Sequence, residues 1–180
     1  MRIRDKIKKP QRPVVAYEIL PPREKDGTLN AYAETISSLL SQTHIDAINI
    51  PEVHEEVGRG ERPVSNQERG EPRKFGMLLQ DIVGIEAIIN RVVVHMPLKK
   101  QMEWIQQTYS KYEIDNLIIV GGESSKQKYP GPTVNESLEK ISKDNILREN
   151  NILCGGICIP SRKKESKNLI KKSECGAEFF

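Results

Sequence analysis

Five short runs rich in valine and isoleucine recur along the chain: Val14 to Leu20, Ala47 to Ile50, Arg91 to Met96, Asn116 to Val120 and Ile152 to Ile159. Each is bounded by proline or glycine and is nearly continuous in hydrophobicity, the pattern of strands buried on both faces. Between them lie patterns of helical period. Leu29, Tyr32, Ala33, Ile36, Leu39 and Leu40 recur at 3.6-residue spacing, and Met102, Ile105 and Tyr109 do the same further on. Thr133 and Glu136 make a T-x-x-E capping box ahead of Leu138, Ile141 and Ile146, and Cys175-Gly176 stops a helix that begins near Arg162. Strands alternating with helices at this spacing mean βα units and a parallel sheet. The stretch from Val53 to Lys74 departs from the pattern: it is charged, carries Gly58, Gly60 and Gly70, and reads as a long mobile loop.

Two architectures place helices around a parallel sheet, an open doubly wound sheet and a closed barrel. A dinucleotide-binding doubly wound sheet carries G-x-G-x-x-G after its first strand, whereas this first run ends in Pro21-Pro22. Polar residues sit instead at the C-terminal end of run after run: Glu18, then Asn49 and Glu52, then His95, Glu123 and Ser161. A barrel that builds its site from strand ends and βα loops distributes its polar residues in this way. The fold class expected is therefore α/β, a TIM (βα)8-type barrel. It is incomplete, since a full barrel takes eight units and about 250 residues, and this chain of 180 holds about five and a half. One partial barrel domain over residues 1–180 is the expected organisation, with a basic N-terminal segment at 1–12 and the mobile loop at 53–74.

Composition narrows the functional classes. Hydrophobic residues make up 37% and charged residues 29%, as in a soluble globular protein. No apolar run approaches the roughly 18 residues of a membrane span, and the N-terminus lacks the apolar core of a signal peptide, so a cytoplasmic address is expected. The net charge of +3 is too small to imply nucleic acid. Arg2, Arg4, Lys6, Lys8, Lys9 and Arg12 do cluster, as do the cations of "RKKESKNLIKK". A phosphate-binding reading of such clusters exists, but without interleaved aromatics they read as a solvated face or a flexible tail. Cys154, Cys158 and Cys175 form no metal-type pair and read as reduced, buried structural thiols. "EVHEE", from Glu52 to Glu56, lacks the H-E-x-x-H spacing of a zinc site, so no metal is expected.

Glu18 is the one carboxylate in an apolar strand. Burial among Val15, Ala16 and Ile19 should raise its pKa above the ordinary value of about 4.3, because burial disfavours the charged form. A carboxylic acid that keeps its proton near neutrality can act as a general acid. The plainer alternative is an ion pair with a neighbouring arginine.

These segments together resemble the methylenetetrahydrofolate reductase family. "YEILPPR" is similar to the family's "FEFFPP" first strand, and "DAINIPE", "VVVHMP", "NLIIVGGESS" with "YPGPTV", and "GGICIPSR" with "KKSECGAEFF" follow in the family's order. The resemblance runs from about residue 14 to the last residue, and is closest to short reductase-like proteins with V-G-G-E where others have R-G-D. It implies that Glu18 is the general acid that helps open the five-membered ring of the folate substrate. Glu123 would stabilise the resulting cation near flavin and pterin. Asn49, His95, Gly122, Glu165 and Lys172 would contact FAD, the last two at its ribityl and phosphate regions. The implied reaction passes hydride from NAD(P)H to FAD and then to 5,10-methylenetetrahydrofolate, or a related pterin carrier, giving the 5-methyl form. The sequence departs from the family at Gly121, where the arginine of R-G-D would stand, and at Pro51, where a threonine usually closes the second strand. The alternative expectation is a catalytically inactive remnant or subunit that keeps a pterin-binding half-barrel. In either case, an open edge ending in Phe179-Phe180 should favour self-association or a completing chain.

Overall fold

Pro72 and Glu71 show how local chemistry sets the elements. Proline has no N–H to lose at the first position of a helix, and the Glu71 carboxylate accepts the Lys74 N–H at 2.9 Å, so a helix starts inside a stretch that reads as loop. In the computed structural model, which describes residues 2–53, 69–122 and 127–180 (the Glu24 side chain excepted), the chain divides into two units, residues 1–89 and 90–180. Five strands form one sheet: β1 (Ala16–Glu18), β2 (Ala47–Pro51), β3 (Ala87–Val92), β4 (Asn116–Val120) and β5 (Leu153–Gly156), in the order β1-β2-β3-β4-β5. β1 runs parallel to β2, and β4 parallel to β5. Sequential order is that of an incomplete (βα) barrel and excludes the 3-2-1-4-5 order of a doubly wound sheet.

In the first unit, helix α1 (Ile3–Lys8) precedes β1, α2 (Leu29–Leu40) joins β1 to β2, and α3 (Pro72–Val83) leads from β2 to β3. Thr28 caps α2 through the Ala31 N–H, and Gly84 ends α3 in the left-handed conformation, φ 70°. Ile48 and Ile50 on β2 are fully buried, as are Phe75 and Leu79 on α3. The Tyr32 and Phe75 rings lie 5.8 Å apart between α2 and α3. Ile3 is buried, and its N–H donates to the Glu86 carboxylate at 2.9 Å. Lys6 and Arg12 both pair with Asp46, just ahead of β2. The basic segment at 1–12 is thus a docked helix and turn rather than a flexible tail, because Asp46 and Glu86 supply anions remote in sequence. Residues 54–68, most of the expected loop, lie outside the described residues. Its end is fixed: Gly70 N–H donates to Pro22 O and Arg69 Nη1 to Pro21 O, and α3 has begun by Pro72.

In the second unit, α4 (Leu98–Tyr112) precedes β4, α5 (Val134–Lys143) and α6 (Asn145–Glu149) precede β5, and α7 (Glu165–Glu174) follows it. The Thr133–Glu136 capping box forms as expected. Leu138 and Ile141 are buried, but Ile146 is exposed on α6, because Asp144 takes an extended conformation and caps a new helix through Leu147 N–H. The third strand starts four residues before the expected Arg91 and ends at Val92. Arg91 is a buried strand residue: its Nε donates to Gln101 Oε1 at 2.9 Å and its guanidinium lies 4.1 Å from the Trp104 ring centroid. α7 begins at Glu165, not near Arg162, and stops at Cys175, with Gly176 at φ 114°. Beyond it a sixth strand opens beside β5: Gly156 N–H donates to Phe179 O, and Gly155 bridges Phe179 in parallel sense. Only Cys154 is buried; Cys158 is exposed beyond the end of β5 and Cys175 half-buried at the end of α7. Among the described residues no helix is long and apolar enough to cross a membrane.

Candidate functional site

Strand parity decides which side chains share a face. In the register of β1 on β2, Glu18 stands opposite Asn49, while Ile48 and Ile50 point to the other face and are fully buried. Asn49 Nδ2 donates to Glu18 Oε2 at 3.0 Å. The other amide atom, Asn49 Oδ1, is buried and has no hydrogen-bond partner among the described residues. A buried acceptor left unpaired costs about 1–3 kcal/mol, so this pair presents an acceptor with something still to receive.

Glu18 itself is exposed, contrary to the burial expected for it. All three residues of β1 are exposed, and so is Val15; of the residues meant to enclose Glu18, only Ile19 is buried. Among the described residues β1 stands at the end of the strand order and pairs with β2, with its other edge uncovered. The apolar enclosure expected around Glu18 is therefore not observed among the described residues. Among the described residues the hydrogen-bond partner of Glu18 is an asparagine rather than an arginine.

In the second unit, the ends of β3 and β4 are covered by a tyrosine that the sequence reading did not single out. His95 lies in the turn three residues past β3, not in a strand, and the Tyr129 ring meets it edge-on at 5.6 Å. The same ring packs against Gly122, where a Cβ would fall 2.2 Å from Tyr129 Cζ. Gly131 lets the loop close down further: its N–H donates to Val94 O at 2.8 Å, and a Cβ there would lie 2.5 Å from Met96 O. The Pro-Gly-Pro of "YPGPTV" was the available signal for so tight an approach. Glu123 lies outside the described residues, so the expected cleft shared by Glu18, Glu123 and His95 includes one position that does.

Glu165 and Lys172 come together, both buried, on one face of α7. Glu165 accepts from Asn168 Nδ2 at 3.0 Å and from Ile159 N–H at 2.9 Å, and these bonds hold its carboxyl below the usual carboxylate range. Lys172 Nζ donates to Ile157 O. The pair thereby ties the segment after β5 to α7, and its polar atoms face the protein. Glu165 and Lys172 are thus engaged internally, and the Tyr129 ring occupies the surface of Gly122.

No protein-family model matches the chain, and no curated protein matches it significantly. Among solved structures it is similar to an uncharacterized protein from Clostridium thermocellum that binds two copies of 5-methyl-5,6,7,8-tetrahydrofolic acid, at 18% identity and TM-score 0.73, over 98% of this chain and 56% of that one. It is also similar to N-acetylneuraminate lyase from Fusobacterium nucleatum, at 14% identity and TM-score 0.52, over 92% of this chain and 55% of the lyase. The chain thus spans just over half the length of either protein. At such identities the likeness is one of fold.

Proposed function

We propose that the chain binds a reduced folate, or a related pterin one-carbon carrier, at the C-terminal ends of its strands. The observation that carries this reading is the Glu18–Asn49 pair, a solvent-facing carboxylate beside a buried amide oxygen without a partner among the described residues. A ligand with several N–H donors on a flat ring satisfies both, and a reduced pterin is such a ligand. Likeness in fold to a protein that binds 5-methyltetrahydrofolate supports the same class.

The finer reading is membership of the methylenetetrahydrofolate reductase family. It makes the chain part of an enzyme that reduces the 5,10-methylene form to the 5-methyl form, with FAD as cofactor and NAD(P)H as hydride donor. That reading rests on the motif resemblance. The internal engagement of Glu165 and Lys172, and Tyr129 over Gly122, favour the alternative: a pterin-binding part of a barrel without flavin chemistry of its own, completed by further chain or by a partner.

Calorimetric titration of the purified protein with 5-methyltetrahydrofolate, alongside a flavin absorbance scan, tests both levels. Saturable binding that weakens about tenfold in Asn49→Ala and in Glu18→Gln supports the site. Absence of binding by the unsubstituted protein removes the folate reading. Bound flavin in the purified protein restores the reductase reading over its alternative.

A further inference from the structure

We infer that the pocket between α1 and the start of β2 is a binding site for a small phosphate-type dianion. This concavity, of about 360 Å³, is lined by Lys6, Lys9, Gln11, Arg12, Val14 and Asp46. Its size falls in the range of small-ligand sites. Three cations line it against a single carboxylate.

That carboxylate is already saturated. Asp46 accepts the Val15 N–H at 2.9 Å, Lys6 at 3.0 Å, and two bonds from Arg12 at 2.9 and 2.7 Å. It fixes Lys6 and Arg12 in place and has no capacity left for Lys9. Lys9, nearly one turn along from Lys6, has no carboxylate partner among the described residues. Lys6 needs one of its three N–H donors for Asp46, and Arg12 retains its Nε–H and one Nη2–H. A tetrahedral dianion supplies acceptors for these donors and balances the surplus charge. The lining holds no aromatic ring, so the chemistry recognised is the phosphoryl group rather than a base or a flavin ring. The site lies at the N-terminal end of β2, away from Glu18, and does not rest on the folate reading.

Thermal unfolding of the full chain in inorganic phosphate, against chloride at matched ionic strength, tests the inference. Phosphate at ten times its Kd should raise Tm by about 3 °C. Lys9→Glu should abolish that rise while leaving Tm in chloride unchanged, because Lys9 takes no part in the Asp46 bonds. Glycerol phosphate in place of inorganic phosphate separates the two sources: a larger rise assigns the site to phosphomonoesters, an equal or smaller one to the free ion. A rise of equal size in chloride, or one that survives in Lys9→Glu, overturns the proposal.

Discussion

Asp46 and Glu18 are carboxylates at opposite ends of the same strand pair. Asp46 stands just before β2, buried, with a backbone N–H and two cations on it. Glu18 closes β1, exposed, with one amide on it. The first is held down to a pKa of about 2, chiefly by the Val15 N–H and then by Lys6 and Arg12. Saturation of this kind is what a structural charge needs, since a buried ion is tolerated only when its lone pairs are filled. The unsaturated carboxylate is the one with capacity left for a ligand. In a barrel fold this division follows the two faces: the N-terminal ends of the strands hold the structure together, and the C-terminal ends are left for chemistry.

The sharpest way to break this contrast is to remove Asp46. Asp46→Ala leaves the Val15 N–H unpaired and Lys6 and Arg12 without their anion, and should cost about 2–3 kcal/mol in urea unfolding. A loss below about 1 kcal/mol would show that the node is not structural. Acid titrates the same node. Asp46 binds its proton more weakly folded than unfolded, falling from 3.8 to about 2, so its contribution is complete above about pH 4 and is lost as the pH falls through about 2. The urea midpoint should drop over that window by the equivalent of about 2 kcal/mol, and Asp46→Asn should flatten the drop. Arg12→Ala removes two charge-assisted bonds but leaves Lys6 and the Val15 N–H in place, so about 1.5 kcal/mol is expected. Glu18→Gln should be the mildest, within about 0.5 kcal/mol of the parent in the same assay. A large destabilisation there would make Glu18 a second structural charge and end the contrast.

The sequence was informative where neighbours in the chain decide the outcome. β2 and β4 fall where their valine and isoleucine runs place them, and Thr133–Glu136 caps α5 as its spacing requires. It was misleading where distant partners decide. The third run reads from Arg91 to Met96, whereas β3 spans Ala87–Val92 and buries Arg91 under a ring that belongs to α4. The cations of α1 looked solvated because Asp46 and Glu86 lie far along the chain. Glu18 does close β1, opposite Asn49, but its exposure on that strand left no mark in the apolar run around it. Tyr129, which covers His95 and Gly122, left no signal stronger than the turn residues that follow it.

The bond from Ile3 to Glu86 also sets an order in time. The two residues are 83 positions apart, and synthesis proceeds at about 5–20 residues per second. The α1 segment therefore waits roughly 4–17 seconds after it is made before its anchor has been synthesised. For that interval Ile3 and the cations around it have no docking surface, and a six-residue helix does not hold by itself. The α1 segment, made before the rest of its unit, is among the last parts of that unit to settle. Nascent chains halted short of Glu86 should therefore leave this segment open to protease, and chains halted well beyond it should not.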